Sequence, residues 1–470
     1  MGGISSGKPV LPLITGPMLA GSFRGQRIGA CTDCRNNWAA YRGSEIDIEE
    51  ISELNEELAP SAGTCGVMGT ASTMACVTAA LGLIDPRGGA TAPAVSSARL
   101  RIAEETGKNA VAAAASVSEG AARRLTLTNI LSEASFHNAI TVLQAIGGST
   151  NGIVHLLAIA KRHPDVAGKI TLQTIDDIGR RTPLLVDLKP SGDNYMTDLH
   201  SAGGVLALLH TLRPLLRLEA LTVTGRPLGE LLDSAPFRPF PFSQQIVRPL
   251  DRPLHPASSL CVLRGNLAPN GAVIKASASK YRHLLSHRGR AVVFAGPADL
   301  AARIDDPDLD VDEDSVLVLQ GIGPVGFLSP GMPEAGLIPI PRKLGEKGVK
   351  DMLRLSDGRM SGTAGGSIVL HISPEAALPE SVLGVVRNGD FIICDVENRR
   401  LEVELSDEEI RTRVADRRER LDGSKESRGP ADIRRKPTRG YRGLYERHVN
   451  QAEEGVDFDF LTVDGAECRF

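Results

Sequence analysis

Four glycine-containing loops of this sequence carry side chains that could act in catalysis or bind a metal. In the first loop, Gly63–Thr73, Cys65 precedes a small, apolar helical pattern. The N-terminus of a helix lowers the pKa of a nearby thiol, which suits a metal ligand or a nucleophile. A small residue that lets a glycine-rich loop pack closely would give the same pattern. Cys65 is therefore a candidate ligand with a structural alternative.

The second loop, Gly147–Asn151, has the composition of an anion-binding turn. Backbone N–H groups, together with the hydroxyls of Ser149 and Thr150, can bind a carboxylate or a phosphate at the start of a helix. Serine and threonine are also common helix N-caps. A capped helix without a ligand is therefore the structural alternative.

The third and fourth loops carry an acid and a hydroxyl. Glu334 ends the turn Ser329–Glu334, where two prolines and a glycine would hold one carboxylate rigidly. A hard cation such as Mg²⁺ favours such a ligand. In the loop Ser356–Gly366, Ser361 could act as a base if nearby cations lower the pKa of its hydroxyl, and Arg359 could clamp a carboxylate. Taken singly, both loops are better explained as connections without chemistry.

Cys31 and Cys34 form a second thiol pattern, Cys-x-x-Cys. It is typical of a redox pair or of half a zinc site, but the sequence has no second pattern of this kind. We therefore expect Cys31 and Cys34 to be structural. The remaining cysteines are isolated and are interpreted as structural or exposed thiols: Cys76, Cys261, Cys394 and Cys468.

Composition excludes several classes of protein. Hydrophobic residues make up 42% of the 470 residues, charged residues 23%, and the net charge is −4, as in globular proteins of two or three domains. Charges of both signs are interspersed, so a nucleic-acid-binding face is not predicted. No apolar run is long enough to span a bilayer. Seven irregularly spaced cysteines favour a reducing compartment, so we expect a cytoplasmic or mitochondrial location.

The elements that must position these loops differ between the two halves of the chain. Helices are predicted over Ile46–Leu58, Thr70–Leu83, Ser97–Ala115 with an interruption at Gly107, Phe136–Ile146, Gly152–Lys161 and Val205–Arg213. Strands are predicted at Ser259–Leu263, Ala291–Phe294, Ser315–Leu319, Ser367–Ile372, Phe391–Val396 and Leu401–Leu405. We therefore predict a helix-rich α/β domain over 1–245 and a β-rich, barrel-like domain over 246–470, joined by the proline-rich linker Pro236–Pro256.

Six motifs, taken in order, resemble those of the dihydroxy-acid and sugar-acid dehydratases. They are Thr15-Gly16-Pro17-Met18-Leu19, the Cys65 loop, Gly147-Gly148-Ser149-Thr150-Asn151, Leu263-Arg264-Gly265-Asn266-Leu267-Ala268-Pro269, Pro330-Gly331-Met332-Pro333-Glu334 and Asp357-Gly358-Arg359-Met360-Ser361-Gly362. The resemblance runs from about Lys8 to the C-terminus. The C-terminal motifs, such as Val369-Leu370-His371, are closest to the aldonic-acid branch of the family.

The resemblance implies a hydro-lyase that converts a 2,3-dihydroxy acid, preferably an aldonic acid, into a 2-keto-3-deoxy acid. It implies that Cys65 binds an iron–sulfur cluster (2Fe–2S in preference to 4Fe–4S), that Glu334 binds Mg²⁺ and that Ser361 removes the C2 proton. The implied substrate-binding residues are Ser149, Thr150, Arg359 and Thr363. A homodimer or homotetramer with a small-molecule substrate is also implied, without a nucleic-acid or membrane partner.

In the family, the other cluster cysteines and Mg²⁺ ligands lie upstream of the motif that begins here at Gly16. We therefore expect the start of the N-terminal domain to be missing from this chain. Three functions stay open. The first is a dehydratase, of sugar acids or of the dihydroxy acids of branched-chain amino acid biosynthesis. The second is a non-catalytic homologue, and the third is a module that binds carboxylates through Gly147–Asn151 without a metal.

Overall fold

A computed structural model of the chain describes residues 1–115, 125–235, 244–334, 338–423 and 439–463. The chain divides into two compact units, one of Met1–Asn36 with Ile48–Ser259 and one of Asn37–Asp47 with Leu260–Phe470. Within the described ranges, none of the helices has the length and apolar character needed to cross a membrane. Part of the predicted linker, 236–243, and Cys468 lie outside the described residues.

The chain before residue 235 is helix-rich, as predicted. A short antiparallel hairpin is formed by β1 (Gly21–Phe23) and β2 (Gln26–Ile28). The helices are α1 (Gly2–Ser6), α2 (Thr32–Arg42), α3 (Ile48–Glu57), α4 (Thr70–Ala80), α5 (Ser97–Ala115), α6 (Leu127–Ile130), α7 (Glu133–Ala145), α8 (Thr150–Lys161), α9 (Leu172–Gly179), α10 (Met196–Ser201), α11 (Gly204–Leu212) and α12 (Leu228–Ser234). The six predicted helices are all confirmed, with ends that differ by a few residues.

The predicted break at Gly107 is wrong, because α5 runs through this residue without interruption. A Cβ atom at Gly107 would meet no other atom within 4 Å. The position therefore faces open space, and glycine there costs only helix propensity, about 1 kcal/mol.

Small side chains allow close packing in the core of the first unit. Helix α4 buries Ala75, Cys76 and Ala79 in one hydrophobic cluster with Val142 and Ala145 of α7. Ser132 caps α7 by accepting a hydrogen bond from the backbone N–H of the third helical residue. This packing fixes α4 and α7, whose ends lead to the Cys65 loop and to the Gly147–Asn151 turn.

The second unit contains a closed barrel, which confirms the predicted β-rich, barrel-like domain. Its strands are β3 (Cys261–Gly265), β4 (Ala268–Ile274), β5 (Ser286–Ala295), β6 (Val316–Gln320), β7 (Arg354–Ser356), β8 (Ile368–Ser373), β9 (Phe391–Asp395) and β10 (Arg400–Val403). They are ordered β10-β3-β4-β8-β7-β6-β5-β9 around the barrel. The remaining helices are α13 (Gly296–Arg303), α14 (Arg342–Gly345), α15 (Asp407–Leu421) and α16 (Gly440–His448).

All six predicted strands are present; two further barrel strands, β4 and β7, and the two strands of the short hairpin, β1 and β2, were missed. β4 begins with Ala-Pro-Asn-Gly, which reads as a turn, and its pairing with both neighbours contains register shifts. β7 has only three residues. It is held as a strand by parallel pairing with β6 on one side and β8 on the other, which a short local pattern cannot reveal.

The barrel interior is aliphatic, and shortening one of its side chains should destabilise the second unit. Leu355 of β7 is fully buried in the hydrophobic cluster of the barrel. We expect Leu355→Ala to lower the free energy of unfolding by about 2–5 kcal/mol, because a buried leucine leaves a cavity when truncated. Leu444, which is 38% exposed, gives the matched control, and Leu444→Ala should change stability by about 0.5 kcal/mol or less. Urea denaturation measures both, and equal losses in the two variants would contradict the assigned core.

Candidate active site

Two of the candidate loops leave the barrel at the same edge. β6 and β7 are neighbouring parallel strands, so their carboxyl ends lie together; this is where functional loops gather in α/β barrels. The loop after β6 carries Glu334 and the loop after β7 carries Ser361. A parallel bridge joins Glu334 to Arg359, and Arg359 Nε donates to Met332 O at 2.6 Å. The structure therefore brings the acidic turn and the serine loop into contact.

A buried carboxylate after β7 fixes the starts of these loops. Asp357 is fully buried and accepts hydrogen bonds from Gly321 N (3.1 Å), Ile322 N (3.2 Å) and Ala376 N (2.9 Å). These donors follow β6 and β8, so one side chain ties together the loops that leave three adjacent strands. Burial, and secondly the charge of Glu375, raise the pKa of Asp357 to about 7.

Glu375 makes a second buried anchor at this edge. It is fully buried and accepts from Val325 N and Gly326 N, both at 2.8 Å, and from Gln451 Nε2 at 2.7 Å. The donors Val325 and Gly326 belong to the loop that leads to Glu334. Asp357 and Glu375 were not recognised from the sequence as site-forming residues, because their role depends on strands that are adjacent only in the barrel.

The Ser361 hydroxyl lies in a hydrogen-bonded turn. Its Oγ is 2.9 Å from Thr363 Oγ1 and accepts from Thr363 N at 3.4 Å. Ser361 is partly exposed, whereas Thr363 is fully buried. Hydrogen bonds donated to an oxygen favour its charged form. Both contacts from Thr363 could therefore support an alkoxide on a serine that solvent or substrate can reach.

Lys275 lies against the same turn and was not singled out from the sequence. It follows the last residue of β4, is buried, and donates from Nζ to Gly362 O at 3.2 Å. Burial lowers the pKa of Lys275 to about 7. The sequence signal was a lysine placed directly after the apolar run Ala272–Ile274. A carbonyl is the partner that a buried ammonium or amine needs at such a position.

In the first unit, the Cys65 loop is held by backbone contacts on both sides. Thr64 N donates to Gly16 O at 2.9 Å, and Ser72 Oγ donates to Cys65 O at 3.2 Å. Cys65 Sγ is 3.0 Å from Cys31 Sγ. Both cysteines are partly exposed, and neither is in a disulfide. The sequence indicated Cys65 but paired Cys31 with Cys34, because residues from the two loops become neighbours only in the folded chain.

The Gly147–Asn151 turn is joined to the start of α4. Ser149 Oγ caps α8 by accepting from Asn151 N, and it lies 2.9 Å from Thr70 Oγ1. Ser149 N donates to Thr73 Oγ1 at 2.9 Å. Ser149 and Thr150 are buried. These contacts are those of a capped and packed helix start, and the predicted role of the two residues in substrate binding stays a prediction.

A cavity elsewhere in the first unit is separate from these loops. It has a volume of about 540 Å³, and its lining includes Asp85, Arg87 and His200 but none of the predicted site residues. Among the residues that the structure describes, no group of three or more His, Cys, Asp or Glu side chains could hold a metal ion. Within these ranges, neither Cys65 with its neighbour Cys31 nor Glu334 therefore belongs to a complete cluster site or Mg²⁺ site.

Comparison with known proteins identifies the class. The pattern described as "Dihydroxy-acid/6-phosphogluconate dehydratase N-terminal" matches residues 1–231, and its C-terminal counterpart matches residues 245–456. The chain is 43% identical to an L-arabonate dehydratase of Azospirillum brasilense, with 99% of this chain and 76% of that protein covered. It is 40% identical to a 6-deoxy-6-sulfo-D-gluconate dehydratase of Pseudomonas putida, again with 99% and 76% covered.

A more distant relative is a dihydroxy-acid dehydratase of Caldicellulosiruptor saccharolyticus, which is 36% identical over 95% of this chain and 75% of that protein. The fold and these matches define an enzyme of the hydro-lyase class, a dehydratase. The chain belongs to the dihydroxy-acid/6-phosphogluconate dehydratase family, which confirms the resemblance inferred from the six motifs.

Replacing the carboxyl of Asp357 with an amide should destabilise the second unit. An asparagine offers one acceptor oxygen where the carboxylate serves three N–H donors, so at least one buried donor loses its partner. We expect Asp357→Asn to lower the free energy of unfolding by about 2 kcal/mol. Asp308→Asn, at an exposed position, is the control and should have little effect. A stable Asp357→Asn protein would show that the three loops are held by other contacts.

The lowered pKa of Lys275 predicts how stability depends on pH. The pKa falls from 10.5 to about 7 on folding, so the unfolded state binds more protons between these values. The cost of burying the lysine is full below about pH 7 and is relieved as the pH rises, by up to about 1.4 kcal/mol per pH unit. We expect Lys275→Met to gain stability over the parent chain below pH 7, and this gain should shrink towards pH 10.

Urea denaturation across this pH range measures the difference between the two chains. Lys280→Met, at an exposed position, should show no such pH-dependent difference from the parent. A constant difference between Lys275→Met and the parent chain would mean that the lysine does not change its protonation on folding.

Proposed function

We propose that this chain removes water from a 2,3-dihydroxy carboxylic acid to give a 2-keto-3-deoxy acid, and that an aldonic sugar acid is the favoured substrate. Two relatives named for sugar-acid substrates are 43% and 40% identical to the chain, whereas a relative named for dihydroxy acids is 36% identical. The C-terminal motifs point to the same branch. Similarity to these relatives therefore supports the substrate class, and the geometry of the site supports the chemistry.

The observation that carries the proposal is the environment of Ser361. The hydroxyl is partly exposed, lies at the carboxyl edge of the parallel strands, and receives the contacts of Thr363. It follows Arg359, whose backbone is bridged to Glu334. A hydroxyl that accepts hydrogen bonds in this way suits removal of a proton from carbon.

In the proposed reaction, the Ser361 alkoxide takes the proton from C2 of the substrate and then passes it to the departing hydroxide, which is released as water. The C2–H electron pair forms the C2–C3 double bond, and the C3 hydroxyl leaves with its bonding electrons as hydroxide. The resulting enol then tautomerises to the 2-keto acid. Lys275 orients this step, because its contact with Gly362 O fixes the turn between Ser361 and Thr363.

The same proposal includes an iron–sulfur cluster bound by Cys65 and a Mg²⁺ bound by Glu334. Such Lewis acids would supply positive charge at the leaving hydroxyl and the substrate carboxylate. Each would need further ligands, since no group of three or more ligating side chains occurs within the described ranges. The described side chains thus account for proton removal and not for the departure of hydroxide.

We propose that the substrate is bound by Arg359, Thr363, Ser149 and Thr150. The guanidinium of Arg359 donates a hydrogen bond from Nε to Met332 O. Its other N–H groups suit a carboxylate. Thr363 supports Ser361, while Ser149 and Thr150 line the capped start of α8. A non-catalytic homologue is the competing hypothesis, and it predicts folding without turnover.

The proposal is tested by replacing the base. The chain is expressed anaerobically with iron, sulfide and Mg²⁺, and 2-keto acid formation is measured with a panel of aldonic acids and with 2,3-dihydroxy-3-methylbutanoate. We expect turnover of an aldonic acid, which Ser361→Ala reduces by at least about 100-fold, the scale of general base catalysis. Metal content should not change.

Ser286→Ala, an exposed serine at the start of β5, is the matched control and should keep full activity. Turnover of the branched dihydroxy acid alone would reassign the substrate. Retained turnover in Ser361→Ala would remove Ser361 from its role, and a folded chain that is inactive on every acid would favour the non-catalytic homologue.

A further inference from the structure

The thiol of Cys65 has a neighbour that places two reactive sulfurs in one partly exposed position. Cys31 Sγ and Cys65 Sγ are 3.0 Å apart although the residues are 34 positions apart in the chain. Neither is in a disulfide, and both are partly exposed. The two sulfurs are therefore in direct contact, at a place that a small reagent can reach.

The turn that carries Cys31 has a fixed backbone. Cys31 has a φ of 77°, in the left-handed region that residues other than glycine rarely adopt. Two positions later, Asp33 is buried and accepts from Gly29 N (2.7 Å), Lys189 Nζ (2.7 Å) and Tyr195 OH (2.8 Å). A buried carboxylate with three donors holds the turn in this unusual conformation, as strained backbone requires.

The Cys65 loop is held by the same part of the chain, the segment Lys189–Met196. Met68 N donates to Lys189 O at 3.0 Å, and Met196 N donates to Gly66 O at 2.8 Å. One segment thus fixes both turns, on one side through its side chains and on the other through its backbone. The contact between the two sulfurs follows from this shared support rather than from chance positions of two mobile side chains.

We propose that Cys31 and Cys65 form a reversible disulfide by exchange with a small-molecule disulfide such as oxidised glutathione. One cysteine thiolate attacks the small disulfide, which forms a mixed disulfide and releases one small thiolate. The other cysteine thiolate then attacks the protein sulfur of the mixed disulfide and releases the second small thiolate. The small disulfide is reduced to two thiols, which take up the two protons lost by the cysteines, and the protein pair is oxidised to one disulfide.

The surroundings of the cysteines favour exchange at this pair. Cys31 and Cys65 are both partly exposed, so a small disulfide can approach them. By contrast, Cys76, Cys261 and Cys394 are buried. Burial raises the pKa of Cys76 and of Cys394 to about 12, so these thiols should stay reduced.

Disulfide formation would also engage the sulfur of Cys65, the proposed ligand of the iron–sulfur cluster. A sulfur in a disulfide cannot bind a metal as a thiolate, so oxidation would exclude a cluster from Cys65. This consequence rests on the proposed function, whereas the disulfide itself does not.

The test detects the disulfide between Cys31 and Cys65 directly and does not depend on turnover. The full chain, native and treated with a chelator, is incubated with oxidised glutathione, alkylated under denaturing conditions and mapped by mass spectrometry. We expect a peptide pair linked between Cys31 and Cys65 that dithiothreitol separates. Cys34→Ser should form the same link, and Cys31→Ser and Cys65→Ser should each retain glutathione on the remaining cysteine. Absence of the link in the parent chain, or a link between Cys31 and Cys34, would overturn the proposal.

A second probe covers the case in which a serine variant folds poorly. Phenylarsine oxide bridges two thiols only when they lie close together, and its binding to the native parent chain needs no variant. We expect stoichiometric binding to the parent chain that blocks the disulfide link. Free alkylation of both Cys31 and Cys65 in the presence of the arsenical would show that the sulfurs are apart in solution. Either result is independent of dehydratase activity, so the two proposals can fail separately.

Discussion

Two buried carboxylates hold the edge of the barrel from which the candidate catalytic loops emerge. A charged side chain removed from water is costly unless hydrogen bonds replace its hydration. Three backbone N–H donors offset part of this cost for Asp357, and two such donors with the amide of Gln451 do so for Glu375. Because the backbone donors lie in loops after β6 and β8, these hydrogen bonds fix the loops. The fixed loops in turn set the positions of Glu334 and Ser361.

In the first unit, a buried carboxylate likewise holds the loops that carry the thiols. The carboxylate of Asp33 is satisfied by donors from Gly29, Lys189 and Tyr195. The segment from Lys189 to Met196 also forms backbone hydrogen bonds with the loop of Cys65. In both units, a buried acid converts flexible, glycine-rich loops into defined geometry. Reactive side chains can then remain partly exposed on a rigid support, which is what catalysis and binding require.

Regular patterns in the sequence predicted six of the helices and six of the barrel strands, and the errors have separate causes. The alanine-rich and amphipathic helices, and six of the barrel strands, were recognised because their periodicity is local. β4 and β7 were missed since each is stabilised as a strand by pairing with neighbours that are distant along the chain. The break expected at Gly107 was wrong because a glycine on an exposed helix surface carries only a small propensity cost.

The sequence by itself determined the family and the chemically capable residues, since ordered motifs carry Cys65, Glu334, Arg359 and Ser361 in recognisable loops. Only the tertiary structure decided which groups support them. The contact of Lys275 with the serine turn, the burial of Asp357 and the pairing of Cys31 with Cys65 all join residues that are far apart in sequence. Hydrogen bonding and desolvation depend on distances in space, and local sequence patterns do not encode those distances.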